Sequence, residues 1–329
     1  MIRTIHKLMQ QIRKMKMNEN NYEFTIDSTS DGLRLDIFLG ERVDLTRSYI
    51  QKLIKSGNAS INSKAVKKAG ERIKTGDLLV FNVPEPEELS VEPENIPLDI
   101  VYEDNDVIIV DKPKNMVVHP GPAHPDHTLV NALLYHCAGN LSGINGVLRP
   151  GIVHRIDQNT TGLLVVCKND KAHNNLAEQF SKHTITRRYQ AVICDNLTED
   201  EGTIDTYIGR NPVDRKKMST FKTEEPGTKR AITHYKVLDH LNNSYNHIEC
   251  RLETGRTHQI RVHMSHIHHP VLGDDVYGGA RPGPFKNLEG QTLHAGILGF
   301  IHPSTNQYME FKSELPQYFV SVLERLKNK

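Results

Sequence analysis

A charged stretch that leads directly into an apolar run constrains the fold of this chain more than any other feature. Arg149-Pro150-Gly151 is a turn signal, and Arg155 and Asp157 follow at alternate positions. Leu163-Leu164-Val165-Val166 is then typical of a strand buried on both faces. Charges this close to a core are costly unless paired, so Arg155 and Asp157 are either a structural ion pair or groups placed for chemistry.

Length and composition indicate a chain with room for two domains. It has 329 residues, of which 37% are hydrophobic and 25% charged, as in soluble globular proteins. The net charge is only +1, so a surface for nucleic acid must come from local clustering of basic residues. No apolar run is long enough to span a membrane.

The four cysteines, Cys137, Cys167, Cys194 and Cys250, are far apart and include no C-x-x-C pair. This pattern predicts reduced thiols in a cytoplasmic protein, without a zinc site or a disulfide framework.

Composition divides the chain into four segments. Residues 1–20 are a basic N-terminal extension, and the lack of an apolar segment after it argues against a signal peptide. Residues 21–83 form a small basic domain. Residues 84–97 are rich in proline and glutamate, which keeps a linker extended. Residues 98–329 alternate strand and helix patterns and form a larger α+β domain.

The segment 33–83 has a local excess of positive charge. Its ten basic and five acidic residues leave about +5, which suits phosphate backbones. An ordinary solvated face would have the same composition. The candidate phosphate-binding residues are Arg47, Lys52, Lys55, Lys67 and Lys68.

Local patterns predict several elements. Apolar spacing favours helices over residues 35–39 and 50–54, and over Leu129 to Tyr135 with Thr128 as the N-cap. Strands are predicted over residues 78–81 and 107–110, and over 189–193 after a basic turn at Arg187-Arg188. Asn115 suits a turn with positive φ. Residues 209–230 are polar and basic, and are either a hairpin that contacts RNA or a solvated loop.

A second dense group of polar residues occupies positions 252–263. Alternation places Ile260 and Val262 on one face, with Gln259, Arg261 and His263 on the other.

Histidines are concentrated here, at His258, His263, His266, His268 and His269. No H-E-x-x-H motif, companion cysteine or carboxylate at helical spacing accompanies them, which argues against a metal site. We therefore predict that these histidines hydrogen-bond the loops of a cleft. The chain also lacks a glycine-rich phosphate loop and a G-x-S-x-G elbow.

The two polar stretches resemble the signatures of the pseudouridine synthases that modify large-subunit ribosomal RNA. His154-Arg155-Ile156-Asp157, with Thr160-Thr161-Gly162-Leu163, is similar to the first signature, and residues 254–263 are similar to the second. Smaller motifs follow in the family's order: Lys112-Pro113, Val118-His119-Pro120, Arg188-Tyr189, Leu272-Gly273-Asp274, Tyr277-Gly278 and Leu293-His294-Ala295.

Residues 33–83 resemble the RNA-binding domain named after ribosomal protein S-four, which points to the branch of the family that carries this domain. Some positions depart from the family pattern. Gln158 and Asn159 replace the usual lysine and aspartate, Thr161 replaces serine, and His127 and His268 stand where glycine is usual.

The resemblance implies an α+β pseudouridine synthase fold, with a central mixed, mostly antiparallel β-sheet and a catalytic cleft, preceded by the small α/β RNA-binding domain. It implies isomerisation of uridine to pseudouridine, without a metal or an organic cofactor. Asp157 would be the nucleophile, whose attack at C1′ or at C6 stays open, and Arg261 its charge partner. Tyr189 would stack on the flipped base, and Arg155 would fill the vacated place. The further implied substrate-binding residues are His154, Thr161, Arg256, His258, Gln259, Ile260 and Leu293.

The expected partner is RNA, either large-subunit ribosomal RNA or its assembly precursor, and we expect a monomer that does not bind membranes. The alternatives are a synthase for transfer RNA, a histidine-metal hydrolase, and a non-catalytic RNA-binding or ribosome-assembly protein. The joint presence of Asp157, Tyr189 and Arg261 argues against the non-catalytic alternative.

Overall fold

A computed structural model of the chain contains two compact units, residues 1–88 and 89–329. It describes residues 21–83 except 44 and 46, and residues 91–327 except 122, 139, 145–148, 243, 279–284 and 286–287. The predicted basic extension at residues 1–20 lies outside the described residues, as does the predicted linker from 84 to 90. Each unit has a hydrophobic core of its own.

The N-terminal unit is a four-stranded antiparallel sheet with two short helices. Its strands are β1 (Asn21–Thr25), β2 (Ala59–Ile61), β3 (Lys64–Ala65) and β4 (Leu78–Asn82), in the order β1-β4-β2-β3. Its helices are α1 (Leu35–Gly40) and α2 (Arg47–Lys55). Both helices bury the apolar faces that their residue spacing predicts, and they share one core.

A buried carboxylate joins α1 to α2. Asp36 accepts hydrogen bonds from Arg34 Nε at 3.0 Å, Arg47 Nε at 3.2 Å and Gln51 Nε2 at 2.6 Å. Arg34, together with Gln51 and Arg47, holds the pKa of Asp36 well below its usual range, against the opposing effect of burial. Arg47 is therefore part of an internal ion pair, although its side chain stays 57% exposed.

The C-terminal unit is built around one ten-stranded sheet. Its strands are β5 (Asp99–Glu103), β6 (Val107–Lys112), β7 (Thr161–Cys167), β8 (Thr186–Cys194), β9 (Glu201–Arg210), β10 (Met218–Phe221), β11 (Lys229–Leu241), β12 (Tyr245–Leu252), β13 (Leu293–Ile301) and β14 (Tyr308–Lys312). Nine follow the order β10-β9-β11-β12-β8-β13-β7-β6-β5, and β14 pairs with β13. Of these pairs only β7 with β13 is parallel, so the predicted mixed, mostly antiparallel sheet is confirmed.

Four helices of the described residues pack against this sheet. They are α3 (Leu129–His136), α4 (Asp170–Ser181), α5 (Gln259–His266) and α6 (Gln317–Lys327). Leu164 of β7 shares a core with Leu133 of α3, and Leu163 shares another with Leu176 of α4. Since successive side chains of a strand point to opposite faces, β7 is buried on both, as its uninterrupted apolar run predicts. No helix in the described part of the chain is long and apolar enough to cross a membrane.

Several local predictions are confirmed. The predicted strands at residues 78–81 and 107–110 lie within β4 and β6. Thr128 caps α3 in a capping box with Asn131. Asn115 has a φ of +65°, and His127 and His268, which stand where glycine is usual, have φ values of +55° and +70°. That left-handed region is one that glycine adopts freely.

Two local predictions are wrong. Residues 259–263 are not an alternating strand but the first turns of α5, in which Gln259 to Met264 are all buried. An element buried on all sides shows no apolar stripe, so its periodicity did not identify it. Arg187-Arg188 is not a turn either, because β8 already begins at Thr186. Arg187 is consequently buried, and Arg188 on the opposite face is exposed.

Gly162 at the start of β7 permits the parallel pairing with β13. Its φ is +109°, and a Cβ atom there would overlap the carbonyl oxygen of Ala295. We predict that Gly162→Ala destabilises the C-terminal unit by at least about 2 kcal/mol, because both the backbone and the strand contact must change. Chemical denaturation measures this, with Gly121→Ala as the control, since a Cβ atom at Gly121 has no neighbour within 4 Å in the described part of the chain. Equal stability of the two variants would contradict the prediction.

Candidate active site

A loop between two anchored ends presents Asp157. Ile152 and Ile156 are each 5% exposed and pack into the main core. The Thr160 amide donates to the Asp157 carbonyl at 3.0 Å, which closes the loop before β7. His154 accepts a hydrogen bond at Nε2 from the Val165 amide at 3.0 Å. The Asp157 side chain is left 16% exposed.

A buried lysine holds this loop in place through hydrogen bonds to backbone carbonyls. Lys112, at the end of β6, is fully buried, and its Nζ donates to the carbonyls of Pro113 at 2.7 Å and Gln158 at 2.9 Å. Burial lowers the pKa of Lys112 to about 7, although the charges of Asp157 and Asp111 act in the opposite direction. A neutral amine still has two N–H donors, so both hydrogen bonds survive deprotonation.

The central feature of the site is an arginine between two carboxylates. Arg261 Nη1 donates to Asp157 at 2.9 Å, while its Nε and Nη2 donate to the two oxygens of Asp274 at 2.7 and 2.9 Å. Asp274 also accepts from the amides of Val276 and Tyr277. Burial by itself would lower the pKa of Arg261, but Asp274 and then Asp157 raise it well above its usual range.

This ion triad lies at a cavity of about 580 Å³. Eleven residues of the C-terminal domain are predicted catalytic or substrate-binding, and ten line this cavity: His154, Arg155, Asp157, Tyr189, Arg256, His258, Gln259, Ile260, Arg261 and Leu293. Tyr189 lies across the cavity on β8 with 9% exposure. Its pKa is raised by burial, lowered by the charge of Arg187 and raised by that of Asp157, which places its phenol under the influence of both.

Three predicted substrate-binding residues have other contacts. Thr161 does not line the cavity, because its hydroxyl pairs with His294 Nδ1 at 2.9 Å inside the core. Gln259 accepts from Thr254 Oγ1 and the Arg256 amide, and donates to the Ile232 carbonyl. His154 holds β7 and stacks on Phe180, with ring centroids 4.6 Å apart. His154 and Gln259 line the cavity with polar atoms already used by the protein, whereas Thr161 is not part of the lining, so binding of substrate by Thr161 is not supported.

Four residues of the site were missed by the sequence reasoning: Phe180, Arg187, Asp274 and Tyr277. Asp274 and Tyr277 belong to short motifs that carried the resemblance, but no local pattern indicates their contact with Arg261 or His258. Arg187 could have been found from period-two spacing, since it stands two positions before Tyr189.

Most of the clustered histidines make hydrogen bonds, but the partners of His263 and His266 lie on strands and not on the loops of a cleft. His258 Nδ1 pairs with Tyr277 Oη at 2.9 Å, and His263 bridges Thr233 and Thr206 at 2.9 and 3.0 Å. His266 pairs with Thr220.

Among the described residues, the side chains that could hold a metal together are Asp104, Asp106 and His302. They form a self-contained cluster, because His302 Nε2 pairs with Asp104 at 2.8 Å and its Nδ1 accepts from two backbone amides. A metal would have to displace these hydrogen bonds.

Comparisons with known proteins agree with this architecture. The RNA pseudouridylate synthase family profile matches residues 106–266, and the S4 domain profile matches residues 33–79. An uncharacterized RNA pseudouridine synthase of Bacillus subtilis is 47% identical, over 94% of this chain and 99% of its own. The ribosomal large subunit pseudouridine synthase D of Zymomonas mobilis is 47% identical, over 90% and 94% respectively. The solved structure of human RNA pseudouridylate synthase domain containing 1 has a TM-score of 0.53 at 25% identity and covers 75% of this chain and 98% of its own.

The fold and the sequence relatives define an RNA-modifying isomerase. The chain belongs to the RNA pseudouridylate synthase family, whose members convert uridine in RNA to pseudouridine, and it carries an S4 domain near its N-terminus. The predicted family, fold class and enzyme class are therefore confirmed.

The lowered pKa of Lys112 predicts that the unfolding free energy depends on pH. Its folded value of about 7 lies below its ordinary value of 10.5, so between these values the unfolded chain binds a proton that the folded chain does not. Stability therefore rises with pH across this window. From pH 7 to pH 9 the unfolding free energy of the parent should rise by about 2 kcal/mol relative to Lys112→Met. Urea denaturation at several pH values measures this difference, and a constant difference would show that Lys112 does not change protonation here.

Proposed function

We propose that the protein isomerises specific uridines of large-subunit ribosomal RNA, with Asp157 as its nucleophile. The observation that carries this is the position of Asp157 in the cavity, where its charge is held by Arg261 at 2.9 Å. Arg261 is itself fixed by Asp274, which is fully buried. A carboxylate needs such a partner to stay ionised where water is largely excluded.

The reaction breaks the bond between N1 and C1′, turns the base and joins C5 to C1′, while the proton of C5 is replaced by one on N1. Asp157 forms a transient covalent bond that holds the uridine during this exchange, and this bond breaks again before pseudouridine leaves, which returns the free carboxylate. Tyr189 lies across the cavity with its hydroxyl buried, where it stacks on the base and assists loss of the C5 proton. Ile260 and Leu293 provide apolar walls around the base.

Arg155 is suited to take the place of the flipped base. Its side chain is exposed at the cavity lining, and its Nη1 lies 3.3 Å from His119 Nε2. Burial, with the charge of Arg155 next, lowers the pKa of His119 to about 4, so the neutral ring can accept this hydrogen bond. A planar guanidinium can stack between bases, and the uridine must leave the stack before Asp157 reaches it.

The N-terminal unit supplies RNA affinity. Lys52, Lys55, Lys67 and Lys68 are exposed and have no ion pair with any residue that the structure describes, whereas Arg47 is paired with Asp36. The lysines are therefore the better phosphate contacts. Ribosomal RNA is favoured over transfer RNA by this domain and by the name of the Zymomonas mobilis relative. A monomer is sufficient, because one chain lines the cavity.

Asp157→Asn tests the nucleophile. The amide keeps the size of the side chain but is a far weaker nucleophile, so pseudouridine formation should fall at least about 1,000-fold, or about 4 kcal/mol in barrier. RNA affinity should stay near that of the parent. Arg261 keeps its two hydrogen bonds to Asp274, so the loss of stability should stay within about 1 kcal/mol. Pseudouridine mapping of ribosomal RNA, with melting temperatures of the same samples, measures both.

Asp275→Asn is the matched control, because Asp275 lies 3.9 Å from Arg261 but is 72% exposed. It should retain parental activity. If folded Asp157→Asn keeps a rate within about tenfold of the parent, the carboxylate is a structural partner of Arg261 and the assignment is wrong. Pseudouridine that appears only in transfer RNA would overturn the ribosomal substrate but not the nucleophile.

Replacing Lys52, Lys55, Lys67 and Lys68 together by alanine should weaken RNA binding and flatten its salt dependence. The decrease of log affinity with log salt should become less steep by about 2 to 4, since each lost phosphate contact contributes about 0.7 to 0.9 to the steepness. The rate at saturating RNA should change little.

The control variant replaces Lys182, Lys236 and Lys327 by alanine. Each of these lysines is paired with an acidic side chain at 2.6–2.7 Å. Binding titrations at several salt concentrations compare the two variants. An unchanged slope in the first variant would exclude these lysines from the RNA contact.

A further inference from the structure

Arg187 is a buried cation whose chemistry is not used by the reaction described above. We propose that Arg187, with Arg256, binds a backbone phosphodiester of the RNA next to the flipped uridine. The inference rests on the proposed function, since it deepens the description of the same cavity. Nothing in the Asp157 chemistry itself requires these two guanidinium groups.

Arg187 has an unsatisfied donor beside the cavity. It stands on β8 two positions before Tyr189, so both side chains are on the same face of the strand. Arg187 is only 6% exposed and lines the cavity. Its Nη2 donates to the Glu253 carbonyl at 3.0 Å, whereas its Nε has no hydrogen-bond partner among the residues that the structure describes. A buried donor without a partner is rare in proteins, and a ligand that accepts a hydrogen bond would satisfy it.

The charges around Arg187 favour an anion. Burial lowers the pKa of Arg187, and the neighbouring charge of Arg256 lowers it further. No carboxylate of the described residues forms an ion pair with either arginine, in contrast to Arg261 with its two aspartates. A buried cation that lacks a partner is costly, so a bound anion would stabilise this end of the cavity.

The cavity as a whole is strongly cationic. Its lining includes Arg155, Arg187, Lys229, Arg256 and Arg261, against one carboxylate, that of Asp157. Asp274 pairs with Arg261 as well, so setting both carboxylates against the five cations leaves an excess of three positive charges. Arg155, Arg187, Lys229 and Arg256 form no ion pair with a carboxylate of the described residues. RNA brings one negative charge for each phosphodiester, which matches this excess in sign and chemistry.

Tyr189 lines the cavity together with Arg187 and Asp157. Burial raises the pKa of its phenol, the charge of Arg187 lowers it and that of Asp157 raises it, so both groups act on Tyr189. With the base on Tyr189 and the sugar at Asp157, Arg187 is the neighbouring cation for the backbone. Gly255 leaves room for its guanidinium, because a Cβ atom there would overlap Nη1 of Arg187.

The test combines protein variants with RNA that lacks one charge. The substrates are RNA stem-loops that contain a target uridine and carry an uncharged methylphosphonate at one linkage near that uridine. KM, kcat and the RNA affinity of the protein are measured for each. In the parent, one such linkage should raise KM about tenfold with little change in kcat. In Arg187→Gln the same linkage should change KM less than about twofold, because the partner of the phosphate is already missing.

Arg188→Gln is the matched control, because it removes the same charge from the neighbouring position on the opposite face of β8. Arg188 is 45% exposed and lies 3.7 Å from Glu249. This variant should respond to the neutral linkage as the parent does. Arg187→Lys keeps the charge and should retain part of the linkage effect, which separates loss of the anion contact from loss of packing.

Several outcomes would overturn the inference. One is that the neutral linkage lowers RNA affinity equally in the parent and in Arg187→Gln. Another is that no neutral linkage near the uridine changes KM or RNA affinity in the parent, which is measured without any variant. Competitive inhibition of the parent by inorganic phosphate, without any linkage effect, would assign the subsite to a free anion. If the parent forms no pseudouridine in any stem-loop, the proposed function fails, while the affinity measurements still decide whether Arg187 binds a phosphodiester.

Discussion

The ion triad of Asp157, Arg261 and Asp274 is the interaction on which the site depends. A carboxylate in a cavity loses hydration, and it stays charged only if a fixed cation replaces the water. Arg261 is 5% exposed, and two of its nitrogens donate hydrogen bonds to Asp274. These bonds fix the guanidinium independently of Asp157. Asp157 therefore meets a preorganised partner, which is the arrangement that favours chemistry over simple ion pairing.

The sheet brings the members of this triad together from distant parts of the chain. Asp157 and Arg261 are 104 positions apart, and Asp274 comes 13 positions after Arg261. The Asp157 loop leads into β7, whose parallel pairing with β13 interrupts an otherwise antiparallel order. Lys112 holds the same loop through the Gln158 carbonyl at 2.9 Å. Asp157 is thus held just before β7, in which every residue is buried, and this limits its movement.

The electrostatics of the cavity suit a polyanionic substrate. Two carboxylates, Asp157 and Asp274, share the one guanidinium of Arg261, so this group carries a net negative charge. Arg187 and Arg256 line the same cavity without carboxylate partners in the described part of the chain. A flipped nucleotide suits this arrangement, because its neutral base and sugar can lie at Asp157 while its charged backbone meets the arginines. The N-terminal unit adds exposed lysines, so affinity and chemistry are assigned to different units.

Local sequence determined much of the fold and indicated part of the site. The apolar run at 163–166 specified a strand buried on both faces, and Thr128 specified the start of α3, because both signals act within a few residues. The resemblance of the two polar stretches identified Asp157 and Arg261, although it gave no account of what holds them.

Only the tertiary structure decided the rest. Residues 259–263 form a helix and not a strand. They are buried on every side, against β11 and the loops around them, so the apolar stripe that would have indicated a helix is missing from the sequence. The Thr161 hydroxyl pairs with His294, 133 positions away. Arg187 is a cavity residue because β8 begins at Thr186 and so includes it. Hydrogen bonds and charges between distant segments leave no periodic trace in a sequence, since their partners meet only after the chain has folded.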